Sequence, residues 1–305
     1  MTEATTRDRA AIRSGARPRI GITVGDPAGI GPEIAAKAAA DPVVLEACDP
    51  ILYGPPRDEV FEIGRISARA GRAAYDAIVT AVADAQAGRI AAIATAPINK
   101  EAFAAAGIRW RGHTELLAHL TGSARFAMMF HADVLRVVLA TVHIPLAEVP
   151  RALTRERLED TITLSASALP RFGIPSPRLA VAGLNPHAGE HGLMGTEEDA
   201  ILAPAIQACR ERGIDVEGPF PGDTIFVRAM RGEFDAVIAC YHDQGLIPIK
   251  LAAFGRAVNV TIGLPIVRTS VDHGTAFDIA GKGIADHSSL VHAVLLAARL
   301  VRARF

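Results

Sequence analysis

The chain reads as an α/β protein built on a largely parallel sheet. Three observations carry that reading. Short apolar runs alternate along the sequence with longer, Ala-rich stretches of helical pattern. Half of the 305 residues are hydrophobic, which supports a large core, and a chain of this length suits two lobes of about 100–200 residues each. Polar residues able to do chemistry recur just beyond the apolar runs, where open parallel sheets bind their ligands.

Taken in order, the first strand candidate is Arg19–Val24, followed by Gly25-Asp26-Pro27-Ala28-Gly29-Ile30-Gly31-Pro32-Glu33 and a helix over Pro32–Ala40. Glycines in that turn let backbone approach a ligand, and a helix N-terminus favours an anion. The turn is neither of the usual nucleotide fingerprints, so a structural turn and a ligand loop both stay open. Ile51–Tyr53 is the second strand candidate, with only a short link before the helix Ala68–Gln86. Ile90–Ala94 runs into Thr95–Lys100, another strand ending in polar groups. Arg109-Trp110-Arg111-Gly112-His113-Thr114-Glu115 then precedes a helix predicted over Leu116–Thr121. There His113 and Thr114 are either donors to an anion or parts of a charged loop, with Thr114 as a helix cap.

Three later strands each end near a histidine. His143 follows Leu135–Thr141, His187 follows Arg178–Gly183, and His242 follows Ala236–Cys240. Imidazoles at three equivalent positions suit one divalent cation with an open coordination position. A single histidine placed this way would read as a packing residue. A helix is expected over Ile201–Arg212, and Asp223 after it is either a turn residue or an acid/base group. Lys250 sits in the apolar context Ile247–Ala252, where a lysine needs a partner or a shifted pKa, unless it snorkels to the surface. Ala257–Thr261 is the last strand candidate. Arg268, after Gly263-Leu264-Pro265-Ile266-Val267, can fork onto a carboxylate or phosphate. The final helix, Leu290–Arg302, carries Leu290, Val294, Leu295 and Ala298 on one face.

Bulk properties exclude several function classes. A net charge of −1 gives no case for a nucleic-acid or membrane partner. No apolar run approaches the roughly 20 residues that span a bilayer. Residues 1–18 mix Arg, Thr, Ser, Asp and Glu without an apolar block, so a disordered tail is expected there, not a secretory signal. Cys48, Cys209 and Cys240 are scattered, as reduced thiols in a cytoplasm would be.

Together these segments resemble the PdxA family, the 4-hydroxythreonine-4-phosphate dehydrogenases. The likeness runs from about Arg19 to the C-terminus and rests on long motifs in the family's order. They are the Gly25–Glu33 turn, Gly112-His113-Thr114-Glu115, Asn185-Pro186-His187-Ala188-Gly189-Glu190, Tyr241-His242-Asp243-Gln244-Gly245, Gly263-Leu264-Pro265 and Arg268–Ala276. The resemblance implies a two-lobed α/β/α sandwich of isocitrate/isopropylmalate dehydrogenase type, with a cleft between lobes. It implies a first, cofactor-side lobe over 19–115 plus 268–305, and a second lobe over 116–267 carrying the metal and dimer contacts. Family metal ligands fall on His143, His187 and His242, with zinc the first choice and magnesium, cobalt or manganese as alternatives. Substrate positions fall on His113, Thr114, Lys250, Asn259 and Arg268. His273, Gly274, Thr275, Ala276 and Asp278 are similar to the loop that holds the adenosine end of NAD or NADP in isopropylmalate dehydrogenases. Lys250 and Asp223 are the candidate catalytic proton acceptors. A homodimer is implied, with His242 of one subunit completing the other's site.

The implied reaction is oxidation of a phosphorylated hydroxy-acid, 4-phosphohydroxy-L-threonine, and loss of carbon dioxide from the product. The short link after Tyr53, where longer family members carry an excursion, leaves 4-phospho-D-threonate and 4-phospho-D-erythronate as alternatives. A metal-dependent hydrolase or lyase using the same histidines is the rival from another class.

Overall fold

The computed structural model describes residues 17–56, 58–110 and 112–303. The expected tail lies, through residue 16, outside the described residues. In chain order the strands are β1 (Arg19–Thr23), β2 (Asp49–Tyr53), β3 (Ala92–Thr95), β4 (Ala127–Ala132), β5 (Leu135–Leu139), β6 (Leu179–Ala182), β7 (Val216–Phe220), β8 (Ala236–Ala239), β9 (Val258–Ile262) and β10 (Val267–Ser270). The longer helices are α1 (Gly31–Ala40), α2 (Ala68–Gln86), α3 (His113–Thr121), α4 (Arg155–Ala168), α5 (Ala203–Glu211), α6 (His242–Ala253) and α7 (Ser288–Arg302). Two compact units result, one within Met1–Ala124 and Leu264–Phe305, the other within Arg125–Gly263.

In the first unit the strand order is β2-β1-β3-β10, all parallel. Strands β3 and β10 are buried along their whole length, as parallel strands covered on both faces must be. Because β1 leads to β2 on one side and β3 lies on the other, the C-terminal ends of β1 and β3 flank a switch point of the ligand-binding kind. Register places Thr23, Thr95 and Ser270 side by side at those ends. Helix α7 packs on β3 and β10, burying Leu290, Val294 and Ala298 of the expected apolar face. Ser67 caps α2 by accepting from the Ala70 N–H.

The second unit has the order β9-β4-β5-β8-β6-β7. Here β4 runs antiparallel to both β9 and β5, and the remaining pairs are parallel. Its core gathers Phe130, Leu139, Phe226, Val237 and Ile249.

Three strands and two long helices exceed what the sequence pattern signalled. Ala127–Ala132 (Ala-Met-Met-Phe-His-Ala) is rich in helix formers, yet every residue in it is buried between two antiparallel neighbours. Val216–Phe220 contains Gly and Pro, which an edge position tolerates. β10 is hidden behind Pro265 because it is only four residues long. Helix α4 has a weak apolar stripe and is set by Thr154, whose hydroxyl accepts from the Arg157 N–H. Helix α6 contains Pro248, which ordinarily ends a helix.

Candidate active site

In the first unit, α3 starts at His113, not at Leu116, so His113 and Thr114 lie in its first turn. Gly112 is the N-cap and no side chain caps the helix, which removes the capping reading of Thr114. Both residues are buried, and His113 Nε2 has no hydrogen-bond partner. Burial, and then the charge of Arg268, hold this imidazole well below the usual histidine range, so it is neutral near pH 7. Arg268 is only 2 % exposed. Its Nη2 donates to Thr95 Oγ1 (2.8 Å), which donates in turn to Ser270 Oγ (2.8 Å). Burial pushes the guanidinium down to about 9, while the Glu115 carboxylate acts in the opposite sense. A cation kept this dry, with a neutral imidazole beside it, has the chemistry to receive a carboxylate or phosphate. Just upstream, Trp110 stacks on Tyr75 of α2 (ring centroids 6.3 Å) and meets His119 in the last turn of α3 at a tilt (4.6 Å, 32° between planes).

The Gly25–Glu33 turn packs against neighbouring loops at the same strand ends. Asp26 donates its N–H to Pro97 O, and its fully buried carboxyl accepts from the Ala28 N–H. Burial raises the pKa of that carboxyl. Ile30 donates to Thr275 O (3.0 Å), and a Cβ on Gly29 would stand 2.8 Å from the same oxygen. The segment carrying His273, Gly274, Thr275, Ala276 and Asp278 therefore lies directly on the turn that opens α1. Lys37 and Glu33 fix its far end by bonding Gly283 O, Ala285 O and the Ala285 N–H.

In the second unit, the three histidines follow β5, β6 and β8 as expected. His143 and His242 face each other with ring centroids 5.6 Å apart, in a pocket of about 420 Å³ that Thr141 and Tyr241 also line. His187 and Asp223 line an adjoining groove with Tyr241 and Asp243. Among the described residues, no three His, Cys, Asp or Glu side chains are gathered closely enough within one chain to hold an ion. The donor chemistry nevertheless fits one. His187 Nδ1 pairs with Glu190 (3.1 Å) and His242 Nδ1 with Asp243 (2.7 Å). An ionised carboxylate only accepts, so these pairs put a proton on Nδ1 and leave Nε2 as the nitrogen that could face a cation.

Backbone conformation marks the same residues. His143 lies in the left-handed region (φ 52°), and residues 187–192 form an unbroken left-handed run: His187 52°, Ala188 53°, Gly189 77°, Glu190 43°, His191 57° and Gly192 88°. Left-handed helical geometry costs a non-glycine residue about 1–2 kcal/mol, so a run of this kind requires surrounding structure to impose it. Lys250 is half-buried near the end of α6, and Asn259 lies on β9 with its Oδ1 buried and unpartnered.

A family profile described as "Pyridoxal phosphate biosynthetic protein PdxA" matches residues 30–297. The chain belongs to the PdxA family. Among PdxA relatives, a 4-hydroxythreonine-4-phosphate dehydrogenase from Beijerinckia indica is 48 % identical over 92 % of this chain and 94 % of its own length. A D-threonate 4-phosphate dehydrogenase from Cupriavidus necator is 44 % identical over 94 % of this chain and 98 % of its own. The crystal structure of 4-hydroxythreonine-4-phosphate dehydrogenase from Klebsiella pneumoniae superposes with a TM-score of 0.86 at 41 % identity, covering 94 % of this chain and 99 % of that one. Isocitrate dehydrogenase from Methylococcus capsulatus shares the fold at 20 % identity (TM-score 0.51). The chain is thus a PdxA-type dehydrogenase. The alignment to the Beijerinckia relative extends over 318 positions against 305 residues here, so that relative carries residues this chain lacks.

Several groups that brace the candidate residues within each unit carried no individual signal in the sequence. Thr95 and Ser270 orient Arg268, yet read as ordinary strand-end hydroxyls. Gln244 accepts from the Cys240 N–H (2.7 Å) and donates to Gly183 O (2.6 Å), joining the ends of β8 and β6. Glu198 precedes a predicted helix and resembles a solvated charge, but is 3 % exposed.

Proposed function

We propose that the chain oxidises the secondary alcohol of 4-phosphohydroxy-L-threonine with NAD or NADP and a divalent ion. The product is a β-keto acid that loses carbon dioxide to leave 3-amino-2-oxopropyl phosphate. The observation that carries this reading is the buried Arg268 guanidinium beside the neutral imidazole of His113. So deep a cation is stabilised by an anionic ligand, and this substrate offers both a carboxylate and a phosphate. Arg268 forks onto one of these, with His113 and Thr114 as neutral hydrogen-bond partners. Asn259 Oδ1 accepts from a substrate N–H or O–H, and Lys250 adds positive charge.

His143, His187 and His242 hold the ion, zinc first and magnesium, cobalt or manganese as alternatives. When bound, the ion supplies Lewis acidity and the nicotinamide supplies the hydride acceptor. Glu190 and Asp243 hold the Nδ1 side of their histidines, which orients each ring and leaves Nε2 for that ligation. Lys250 and Asp223 are the candidates for taking the alcohol proton. The loop at His273–Asp278 receives the dinucleotide. Helix α6, which bears His242, exposes Ile247, Leu251 (83 %) and Phe254 (82 %) at helical spacing. That apolar side supports a homodimer in which the partner subunit's His242 completes each ion site.

Absorbance of NADH or NADPH, followed with purified protein and added zinc, tests the reading. Turnover of 4-phosphohydroxy-L-threonine, abolished by a chelator and restored by the metal, is the expected result. D-threonate 4-phosphate is the second reading, favoured by the 44 % identical Cupriavidus relative of that name. Preference for it would keep the residue roles and change the substrate. Absence of reduced cofactor with either compound, and with D-erythronate 4-phosphate, would overturn the dehydrogenation of phosphorylated hydroxy-acids.

A further inference from the structure

The left-handed run at 187–192 needs a cause, and its own bonds do not supply one. Ala188 N–H to Asn185 O, Glu190 N–H to His187 O, Gly192 N–H to Gly189 O, Leu193 N–H to Glu190 O and Met194 N–H to Gly189 O close the turn locally. Bonds of that number are available to an ordinary right-handed turn as well, at lower steric cost. Residues from His187 to Met194 are largely exposed, so burial of the turn itself does not select the conformation either.

What the run wraps around is the carboxylate of Glu198. Glu198 lies at the start of a π-helical turn, Glu198–Leu202, and is 3 % exposed. Its Oε1 accepts from the Asn185 N–H (2.8 Å) and its Oε2 from Asn185 Nδ2 (2.9 Å). The second Nδ2 hydrogen serves Glu197 Oε2 (2.8 Å). Asn185 is thereby held by backbone and side chain at once, two residues before His187. The glycines around the carboxylate fit that arrangement closely. A Cβ on Gly189 would stand 2.7 Å from Glu198 Oε2, and one on Gly183 would stand 3.3 Å from Oε1 and 2.8 Å from Ala188 Cα. Strand end, turn and carboxylate thus approach one another closely at these glycines.

We propose that Glu198 is a positioning residue, which through Asn185 imposes the left-handed turn that presents His187 to the divalent ion. The inference rests on His187 being a ligand of that ion. Glu198 touches neither ion nor substrate; it acts only through the shape of the turn. Glu197, which shares Asn185 Nδ2 but not the backbone N–H, has the lesser part.

Hydrogen exchange by mass spectrometry and zinc titration against a chromophoric chelator test the two halves of the claim. The variants are Glu198→Gln, Glu198→Asp, Glu197→Gln and His187→Ala. Glu198→Gln is nearly isosteric, so the fold persists, and circular dichroism verifies it. In metal-free Glu198→Gln, exchange across 188–194 is expected to quicken at least tenfold with the rest of the chain unchanged. Its zinc affinity is expected to fall at least tenfold, approaching that of His187→Ala. Glu197→Gln is expected to change both by less than threefold. Glu198→Asp, which keeps the charge but shortens the reach, is expected to fall between. Unaltered exchange across 188–194 in Glu198→Gln overturns the proposal. So does a loosened turn with undiminished zinc affinity while His187→Ala loses it. If His187→Ala binds zinc like the parent while Glu198→Gln loosens the turn, the control of the turn stands. In that case the assignment of His187 as ligand is what fails.

Discussion

At the scale of single residues, the chemistry depends on charge placed where water cannot reach it. Arg268 is the clearest instance: its folded pKa of about 9 lies far below the ordinary arginine value. Below that pH the free enzyme presents a cation to its substrate; above it, the receptor is neutral. If the substrate reading holds, kcat/KM, which reports the free enzyme, is expected to fall about tenfold per pH unit above about 9. A pH–rate profile checks this. Stability moves the other way for this group. Between about 9 and the ordinary arginine range the unfolded chain binds more protons than the folded one, so folding gains from Arg268 as pH rises. Loss of rate there with an undiminished contribution to stability separates titration of the receptor from alkaline unfolding. Sequence alone marked Arg268 as able to grip an anion, because a guanidinium after a short apolar run is unusual. It did not mark Thr95 or Ser270, since nothing distinguishes a hydroxyl that orients a cation from one that packs. Asp26 was visible only as part of a glycine turn, while its burial follows from the packing of Pro97 against it.

At the scale of elements, what was legible depended on how strongly one local pattern dominated. Ala68–Gln86 was predicted to the residue, because a serine cap and a long Ala-rich stripe agree. Helix α6 was hidden by Pro248, and it forms because the helix packs across β5 and β8. Gly245 is what lets it approach. A Cβ there would lie 2.6 Å from Leu139 Cδ2 and 2.7 Å from Val137 Cγ1. Gly245→Ala is therefore expected to destabilise the fold by about 1–3 kcal/mol, the usual cost of overpacking, despite alanine's better helix propensity. Urea denaturation measures it; a stabilised variant would mean that α6 sits more loosely than described. The turn at 187–192 was beyond sequence reasoning for a different reason. Rules for left-handed backbone point to glycine, and four of the six residues there are not glycine.

For the whole molecule, alternation of strand and helix was enough to give an α/β class, and the motifs were enough to give the family. The antiparallel strand β4 was not foreseen, because pairing direction is a property of neighbours that no local window contains. Sedimentation is expected to give twice the chain's 32.1 kDa, and Leu251→Glu, on the exposed side of α6, is expected to give the single-chain mass. A monomeric parent protein would remove the argument for a shared ion site. One feature of the first unit has an optical consequence. The chain contains one tryptophan, and Trp110 lies against His119 at the far end of the helix that begins with His113. Its emission comes from a single locality, a few residues along the chain from His113 of the proposed anion receptor. The native protein therefore carries one intrinsic fluorophore packed against the helix that bears His113, and a change in its emission on adding a phosphorylated hydroxy-acid is the expected sign of occupancy, read without a label, a cofactor or turnover.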